Sequence, residues 1–272
     1  MAAGGLEGGT AQGYTRCNVR KIPENHLQLV SRDETEKPLS AQAEKMRRLR
    51  ALICSNKHER AARKLGAAAI AGVDEVGRGC LFGPVVAAAV ILPAKVRLPG
   101  VRDSKQLVRE ERERLDGEIR RVAVAIAIGY ADAATIDAIN IRRASHQAML
   151  QAIAQLTPQP DYLLIDAERL DTPCRQEAIV YGDSISISIA AASIIAKVYR
   201  DAWMLAYDCE YPQYGLASHK GYGTPAHLRA LREHGPTPLH RMSFAPVREC
   251  GEAVSPDLPA DDLAFGWSLQ TE

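Results

Sequence analysis

Hydrophobic residues occur in short runs from residue 69 onward, and their spacing predicts most of the secondary structure. Two runs, at 69–75 and 84–92, flank a glycine-rich turn and predict a β-hairpin. A charged segment at 104–122 predicts a helix with its cap at Ser104. Residues 122–131 then alternate between larger and smaller side chains with period two, which predicts a third strand.

The second half of the chain continues this alternation of helices and strands. The pattern predicts a long helix at 133–156, strands at 161–167 and 177–183, and a helix rich in small residues at 186–208. The alanines of this last helix would let it lie close against a sheet. Together the elements predict an α/β fold, with a mixed sheet of about five strands flanked by helices and followed by a C-terminal helical lobe.

The N-terminal part of the chain has a different character from the centre. Residues 1–40 are rich in glycine and polar residues, which predicts a disordered extension. A basic helix is predicted at 41–65, with Met46, Leu49 and Ile53 on one face. This helix could pack on the domain as a solvated element, or it could be a basic arm for nucleic acid. The predicted organisation is the extension at 1–40, the basic helix at 41–65, a catalytic core at 66–210, a basic substrate-binding lobe at 211–248 and an acidic tail at 249–272.

The overall composition narrows the class of protein. The chain has 272 residues, 46% hydrophobic and 25% charged, as is usual for a soluble globular protein. A formal net charge of +1 carries no information about nucleic acid, so any such signal must come from local clustering. The six cysteines are scattered without a CxxC pair, which suits a reducing cytosol better than a zinc site or a disulfide framework. With no secretory signal or apolar membrane-spanning stretch in the sequence, we expect a cytoplasmic protein with no membrane partner.

Acidic residues stand at the ends of three predicted strands. Asp74 and Glu75 end the first strand, Asp166 the fourth and Asp183 the fifth. Carboxylates from strand ends can meet at one edge of a sheet, where they repel one another unless cations neutralise them. Oxygen ligands without nearby cysteine or histidine favour Mg²⁺ or Mn²⁺ over zinc, and two such ions serve in-line displacement at a phosphodiester. We therefore predict that these four acids form a two-metal site.

Each acid also has a purely structural interpretation. Asp166 could cap a loop, Asp183 could be the N-cap of the next helix, and Asp74 with Glu75 could be a solvated strand end. The metal site is favoured because apolar residues lead up to three of these positions, and a buried strand has no structural need for a terminal acid.

The Gly77-Arg78-Gly79 turn follows the acid pair directly. Glycines there could serve the hairpin alone, but beside the acids they would also let the backbone approach a sugar or phosphate closely. A dinucleotide-binding fingerprint is rejected, because these glycines lead into another apolar strand instead of opening a helix.

Residues 211–248 carry a local positive charge that the net charge hides. They include four histidines, three tyrosines and five basic residues against the single acid Glu233. Basic residues interleaved with aromatic ones are typical of a surface that follows a nucleic-acid backbone. The histidines lack the tight spacing of a metal site, so we interpret them as structural or phosphate-facing. The basic residues are Lys220, Arg229, Arg232, Arg241 and Arg248.

Five sequence blocks, taken in order, resemble ribonuclease HII. The blocks are AGVDEVGRG, DSKQL, LLIDAERL, GDSISISIAAASIIAKVYRD and the pair HKGYGTPAH and HRMSFAPV, and together they cover residues 69–248. The resemblance implies a ribonuclease H-like fold and an endonuclease that uses Mg²⁺ or Mn²⁺. Its expected substrates are RNA–DNA hybrids and duplex DNA containing ribonucleotides, and we expect the chain to be a monomer. It also implies hydrolysis of the RNA strand of hybrids and incision 5′ of single embedded ribonucleotides, leaving 3′-hydroxyl and 5′-phosphate ends.

Residue roles follow from the same resemblance, motif by motif. It implies that Asp74, Glu75, Asp166 and Asp183 bind the metal ions. The turn formed by Gly77, Arg78 and Gly79 would sense the ribose 2′-hydroxyl, Tyr222 would pack on the neighbouring deoxyribose, and Lys105 would lie near the substrate backbone. Lys220 and Arg241 of the basic lobe complete the predicted substrate-binding set, as phosphate contacts.

The chain also departs from the family pattern. Cys80 and Phe82 replace a common proline and a small residue, which would change the conformation of the turn. Ala167 and Glu168 replace a frequent Gly-Asn pair, so the surroundings of Asp166 should differ. Two other classes stay open: a catalytically inert nucleic-acid-binding protein on the same fold, which would normally have lost an acid, and another nuclease or recombinase of the superfamily.

Overall fold

A computed structural model of the chain describes residues 52–253, which form a five-stranded mixed sheet flanked by helices. The strands are β1 (Ile70–Val76), β2 (Val85–Ile91), β3 (Ala125–Ala131), β4 (Tyr162–Asp166) and β5 (Arg175–Ile179). Their order in the sheet is β3-β2-β1-β4-β5. The first three strands pair antiparallel, whereas β4 is parallel to both β1 and β5. The predicted mixed sheet is confirmed.

Helices cover both faces of this sheet. They are α1 (Lys57–Lys64), α2 (Arg109–Val122), α3 (Ala133–Ile139), α4 (Ile141–Ala154), α5 (Gly182–Ile185), α6 (Ile187–Glu210), α7 (Leu216–His219), α8 (Pro225–His234) and α9 (Ala245–Ala253). Two short 3₁₀ turns, Ser104–Gln106 and Pro212–Tyr214, complete the list. No helix within residues 52–253 is both long enough and apolar enough to cross a bilayer.

Small side chains let helices on both faces approach the sheet closely. In β2, Ala87 and Ala89 face the core layer that contains α4, while Ala88 faces the layer that contains α2 and α6. A Cβ added to Gly72 would lie 2.1 Å from the backbone carbon of Ser188 in α6. Any side chain at position 72 would therefore push α6 off the strand that carries the first two acids.

Two predicted helices differ from those observed. The long helix predicted at 133–156 is divided at Asn140, which has φ +69° and accepts a hydrogen bond from the Arg143 amide as the cap of α4. The helix predicted from Ser104 starts at Arg109 instead, because Ser104 begins a separate 3₁₀ turn. The side chain that accepts the capping hydrogen bond in this turn is Asp103, from the Lys105 amide.

The fifth strand lies earlier in the chain than predicted. It spans Arg175–Ile179, so Asp183 does not end it but belongs to the short helix α5. The long helix α6 is capped by Ser186, whose side chain accepts from the Ile189 amide. The alternative of Asp183 as the N-cap of the long helix is therefore wrong.

The N-terminal basic helix lies partly outside the described residues. Met46 and Leu49 are outside them, as are the predicted extension at 1–40 and the tail beyond residue 253. Ile53 is exposed and precedes α1, which covers the last part of the predicted range. In α1, the buried Glu59 accepts hydrogen bonds from the Ser186 hydroxyl (2.6 Å) and the Ser188 amide (3.0 Å) at the start of α6. This part of the basic helix thus packs on the domain.

The C-terminal helices pack around the segment that follows the glycine turn. Residues 80–83 lie between two backbone segments of the C-terminal lobe (residues 211–248), one at 220–222 and the other at 239–241. The Leu81 amide donates to the Gly221 carbonyl (2.8 Å), and the Gly83 amide donates to the Leu239 carbonyl (2.8 Å). Leu81 and Phe82 are buried in the apolar core of the lobe. The lobe is therefore built directly onto the connection between β1 and β2.

Candidate active site

The parallel pairing of β1 and β4 brings two of the predicted acids together. Val73 is opposite Ile165, so Asp74 and Asp166 follow at the same edge of the sheet. The buried Asp183 reaches this edge from α5, just beyond β5. Glu75 follows Asp74 in β1 and is partly buried. The carboxyl ends of the parallel strands thus collect the acids, as expected for such a sheet.

Burial raises the pKa values of three of the acids, and repulsion by the other acids adds to this for two of them. Burial, followed by the charges of Glu75 and Asp166, raises the pKa of Asp74 well above its ordinary value. Burial and the nearby Asp183 raise the pKa of Asp166 to about 6, although the Gly182 amide donates to its Oδ1 at 2.8 Å and opposes the shift. Burial also raises the pKa of Asp183. The cluster is short of positive charge, which a divalent cation would supply.

Two side-chain cations contact the outer members of the cluster. Lys105 Nζ lies 3.1 Å from Asp183 Oδ2. Desolvation works against its charge, but the carboxylates of Asp183 and Asp74 raise the pKa of Lys105. On the other side, Arg78 Nη1 donates to Glu75 Oε1 at 3.0 Å. These cations offset part of the repulsion in the protein alone.

The four acids fit a divalent metal, although their side chains are not already arranged as a set of metal ligands in the described part of the chain. Within residues 52–253, no three carboxylate, histidine or cysteine side chains are already grouped as metal ligands. Glu75 Oε2, however, is buried without a hydrogen-bond partner among those residues. Mg²⁺ and Mn²⁺ take oxygen ligands, and Mg²⁺ usually binds one or two carboxylates together with substrate phosphate. An all-oxygen cluster with an unpartnered buried oxygen suits that chemistry.

One cavity of about 270 Å³ unites most of the predicted site. The sheet edge supplies Asp74, Glu75 and Asp166, the glycine turn follows β1, and Tyr222 approaches from the lobe. Asp183 is joined to the cavity through its ion pair with Lys105. The lining residues are Asp74, Glu75, Val76, Gly77, Arg78, Gly79, Ser104, Lys105, Asp166, Ser193, Lys197 and Tyr222.

The two glycines of the turn have different structural roles. Gly77 has φ +94°, and a Cβ there would lie 2.3 Å from Arg200 Nε, so the fold itself requires glycine. Gly79 is exposed, and a Cβ there would meet no atom of the described chain within 4 Å. Because folding places no such demand on Gly79, the open space beside it is available to a ligand.

Comparison with known proteins identifies the family. The family model described as Ribonuclease HII matches residues 71–247, about two-thirds of the chain. The chain belongs to the ribonuclease HII family. The Ribonuclease HII of Koribacter versatilis is 56% identical over 211 residues, which are 78% of this chain and 83% of that protein.

Solved structures agree with this assignment. Ribonuclease H2 from Pyrococcus horikoshii superposes with a TM-score of 0.60 and 26% identity, over 68% of this chain and 98% of that one. Bst-RNase HIII in complex with Mn²⁺ has a TM-score of 0.54 and 26% identity, over 71% of this chain and 72% of that one. The expected ribonuclease H-like fold is confirmed, and the chain is a metal-dependent endonuclease that acts on RNA–DNA hybrids.

Arg241 does not have the position that a phosphate contact would need. Its side chain is fully buried, and burial lowers the pKa of the guanidinium to about 10. Nε donates to the Gly83 carbonyl (3.0 Å) and Nη1 to the Arg78 carbonyl (2.8 Å). The predicted direct contact of Arg241 with substrate is therefore corrected: this arginine supports the turn from inside. Lys220 is half-buried and its ammonium contacts the Ala217 carbonyl.

A second buried arginine, Arg200 of α6, was not predicted. Its guanidinium donates to the carbonyls of Phe82 (3.0 Å), Pro84 (3.0 Å) and Lys220 (2.8 Å). With Arg241 on the Gly83 carbonyl, three consecutive carbonyls after the turn accept from buried guanidinium groups. Charge alone gave no sign of this role, since a buried arginine and an exposed one look alike in sequence.

Ser193 and Lys197 line the cavity and were also missed. They lie four residues apart in α6, and Asp201 follows after four more, accepting from Lys197 Nζ at 2.6 Å. The Ser193 hydroxyl is 2.9 Å from that of Ser104. This polar spacing of four along α6 was the available signal, because such residues share one face.

Ala167 and Glu168, which follow Asp166, have distinctive surroundings in this chain. Ala167 has φ +52°, a conformation that glycine adopts more easily. Glu168 accepts hydrogen bonds from Arg78 (3.3 Å), Arg142 (3.1 Å) and His146 (3.3 Å). Arg78 is thus held between Glu75 and Glu168, beside the acids that line the cavity.

Proposed function

We propose that this member of the ribonuclease HII family incises duplex DNA on the 5′ side of a single embedded ribonucleotide, in addition to cutting RNA in hybrids. The observation that supports this is the composition of one cavity, where the acids, an open glycine turn and a half-exposed tyrosine meet. Acids alone would suit any phosphodiester. The turn and the tyrosine add surfaces that can compare one sugar with the next.

The four acids would hold two metal ions at the sheet edge. Asp74, Glu75, Asp166 and Asp183 supply oxygen ligands only, and the raised pKa values of Asp74, Asp166 and Asp183 mark a strong demand for positive charge. Bound there, two divalent ions would stabilise the charge that develops on the phosphate and activate a water molecule.

The chain itself would orient the substrate around this edge. Lys105 lines the cavity with an exposed side chain and can pair with a substrate phosphate beside the acids. Lys197 also lines the cavity, where its ammonium is ion-paired with Asp201. The open side of Gly79 allows main-chain groups to reach a 2′-hydroxyl, which is both donor and acceptor. Tyr222 is 40% exposed at the cavity and offers its ring to the sugar of the following nucleotide.

The deciding experiment compares four substrates in Mg²⁺ and in Mn²⁺: an all-DNA duplex, a DNA duplex with one internal ribonucleotide, a continuous RNA–DNA hybrid and a branched DNA. We expect cleavage of the second on the 5′ side of the ribonucleotide, with 3′-hydroxyl and 5′-phosphate ends, and no cleavage of all-DNA duplex. Asp74→Asn is the inactive control. Cleavage of the hybrid alone, or of branched DNA in preference, would contradict the proposal. A monomeric state remains a prediction that light scattering can test.

A further inference from the structure

Two buried histidines of the lobe are linked in a chain that ends on Tyr222. His227 and His240 are fully buried, with their Nε2 atoms 3.1 Å apart. His240 Nδ1 lies 3.0 Å from the Thr237 amide, and His227 Nδ1 lies 3.0 Å from the Tyr222 carbonyl oxygen. We call Thr237, His240 and His227 the histidine relay.

The partners of the histidine relay determine where its protons are. The Tyr222 carbonyl can only accept, so His227 carries its proton on Nδ1 and has a free lone pair on Nε2. The Thr237 amide can only donate, so His240 Nδ1 accepts and its proton is on Nε2. His240 Nε2–H therefore donates to His227 Nε2, and every hydrogen bond of the relay runs in one direction, toward Tyr222.

The backbone of Tyr222 is held on both sides by this part of the lobe. Its amide donates to the His219 carbonyl at 3.0 Å, and its carbonyl accepts from the Thr224 amide at 2.8 Å as well as from His227. The His219 ring stacks on the His227 ring, with centroids 4.5 Å apart. The Tyr222 side chain, in contrast, is 40% exposed at the cavity. The main chain that carries the ring is therefore held by the lobe, which limits the positions that the ring can take.

We propose that His227 and His240 are positioning residues that fix the ring of Tyr222 against the substrate sugar. Selectivity for a single ribonucleotide in DNA then depends on buried groups that never touch the substrate. This inference rests on the proposed function, because it assigns a cause to the selectivity of the same site.

The surroundings exclude a proton-transfer role for this pair. Burial, and for His240 also the neighbouring His227, lowers the pKa of His227 to about 4 and that of His240 to about 3. Both rings stay neutral at neutral pH. Neither histidine lines the cavity that contains the acids. The two histidines therefore either position Tyr222 or only fill space in the core of the lobe.

Paired amide substitutions separate these two roles. The side-chain nitrogen of Asn is as many bonds from the backbone as Nδ1, and that of Gln as many as Nε2. His227→Asn thus keeps a donor for the Tyr222 carbonyl, whereas His227→Gln loses it. At position 240 the order reverses, because the group that donates onward is Nε2, which His240→Gln preserves and His240→Asn removes.

The measured quantity is kcat/KM on a duplex with one ribonucleotide divided by kcat/KM on a continuous RNA–DNA hybrid. We expect His227→Gln and His240→Asn to lower this ratio about fivefold, the kinetic equivalent of one ordinary hydrogen bond. His240→Gln should keep the ratio near that of the unmodified chain. His227→Asn keeps the bond to the Tyr222 carbonyl but loses the acceptor for His240, so it should lower the ratio less than His227→Gln does. His234→Gln, an exposed histidine in the same helix, is the matched control and should change nothing.

A double-mutant cycle with Tyr222→Ala completes the test. If the relay acts through the tyrosine ring, His227→Gln should not lower the ratio further once that ring is gone. Equal ratios for the Asn and Gln variants at both positions, or an undiminished effect without the ring, would overturn the inference. The unmodified chain serves as the reference: if it fails to cut the single-ribonucleotide duplex, the proposed function itself is wrong.

Discussion

Removing one carboxylate from the cavity should stabilise the protein when no metal is bound. Asp166→Asn is the cleanest change, because the Asn side-chain oxygen can still accept the hydrogen bond that the Gly182 amide donates to Oδ1. The substitution removes the negative charge while keeping the shape. We expect higher thermal stability in chelator together with loss of nearly all cleavage activity.

The size of the gain follows from the pKa of Asp166. Folding raises this pKa from 3.8 to about 6, so ionising the side chain at pH 8 costs the folded state about 3 kcal/mol. The cost is absent below about pH 4, grows as the pH rises to about 6 and is complete above that. For a domain of this size the Asn variant should unfold about 5–10 °C higher at pH 8.

Thermal unfolding in EDTA between pH 4 and pH 8 tests this reasoning. The gain of Asp166→Asn should vanish near pH 4, and Mn²⁺ should narrow it at pH 8 by binding the unmodified site more tightly. Asp171→Asn, which removes an exposed carboxylate in the same loop region, should leave the unfolding temperature unchanged. A gain that does not depend on pH, or no gain at pH 8, would refute the argument.

Other substitutions test the remaining parts of the site. Gly79→Ala should fold normally yet impair cleavage of both the single-ribonucleotide duplex and the continuous hybrid, and normal cleavage would show that no ligand approaches there. Gly77→Ala should lower the unfolding temperature, because its Cβ meets Arg200. Tyr222→Ala should reduce cleavage at a single ribonucleotide far more than cleavage of a continuous hybrid, and equal losses would make it a packing residue. Lys220→Gln should weaken binding of both duplexes and reduce the slope of log affinity against log salt by about one, whereas Arg241→Met should destabilise the fold and leave that slope unchanged.

The acids could be predicted because a charged residue directly after an apolar run marks the end of a buried strand. A run such as the one before Asp166 has no structural need for a terminal charge, and parallel pairing then brings strand ends together. The same reasoning misplaced the fifth strand, because the segment at 177–183 mixes strand and turn residues. Asp183 still reaches the site, from α5 instead of a strand.

The sequence did not show which charged side chains are buried. Arg241 was grouped with exposed basic residues because its neighbours are polar and aromatic, yet it is fully buried beneath the turn. Arg200 was read as part of a helix and went unnoticed. Both arginines bind carbonyls that are distant in sequence, so their partners become visible only once the chain is folded. Asn140 is a milder case, in which a positive φ interrupts an otherwise continuous helical pattern.

The carbonyls held by Arg200 and Arg241 have a consequence for motion. Loops that carry specificity usually open locally, long before the rest of a protein unfolds. Here the residues after the glycine turn form hydrogen bonds both with α6 and with the C-terminal lobe. Their amide hydrogens should therefore exchange with solvent at rates close to those of the central strands. A rigid template loses little entropy when it binds. In the proposed function, two sugars that differ by one oxygen atom would then be compared with a surface that does not adapt to either.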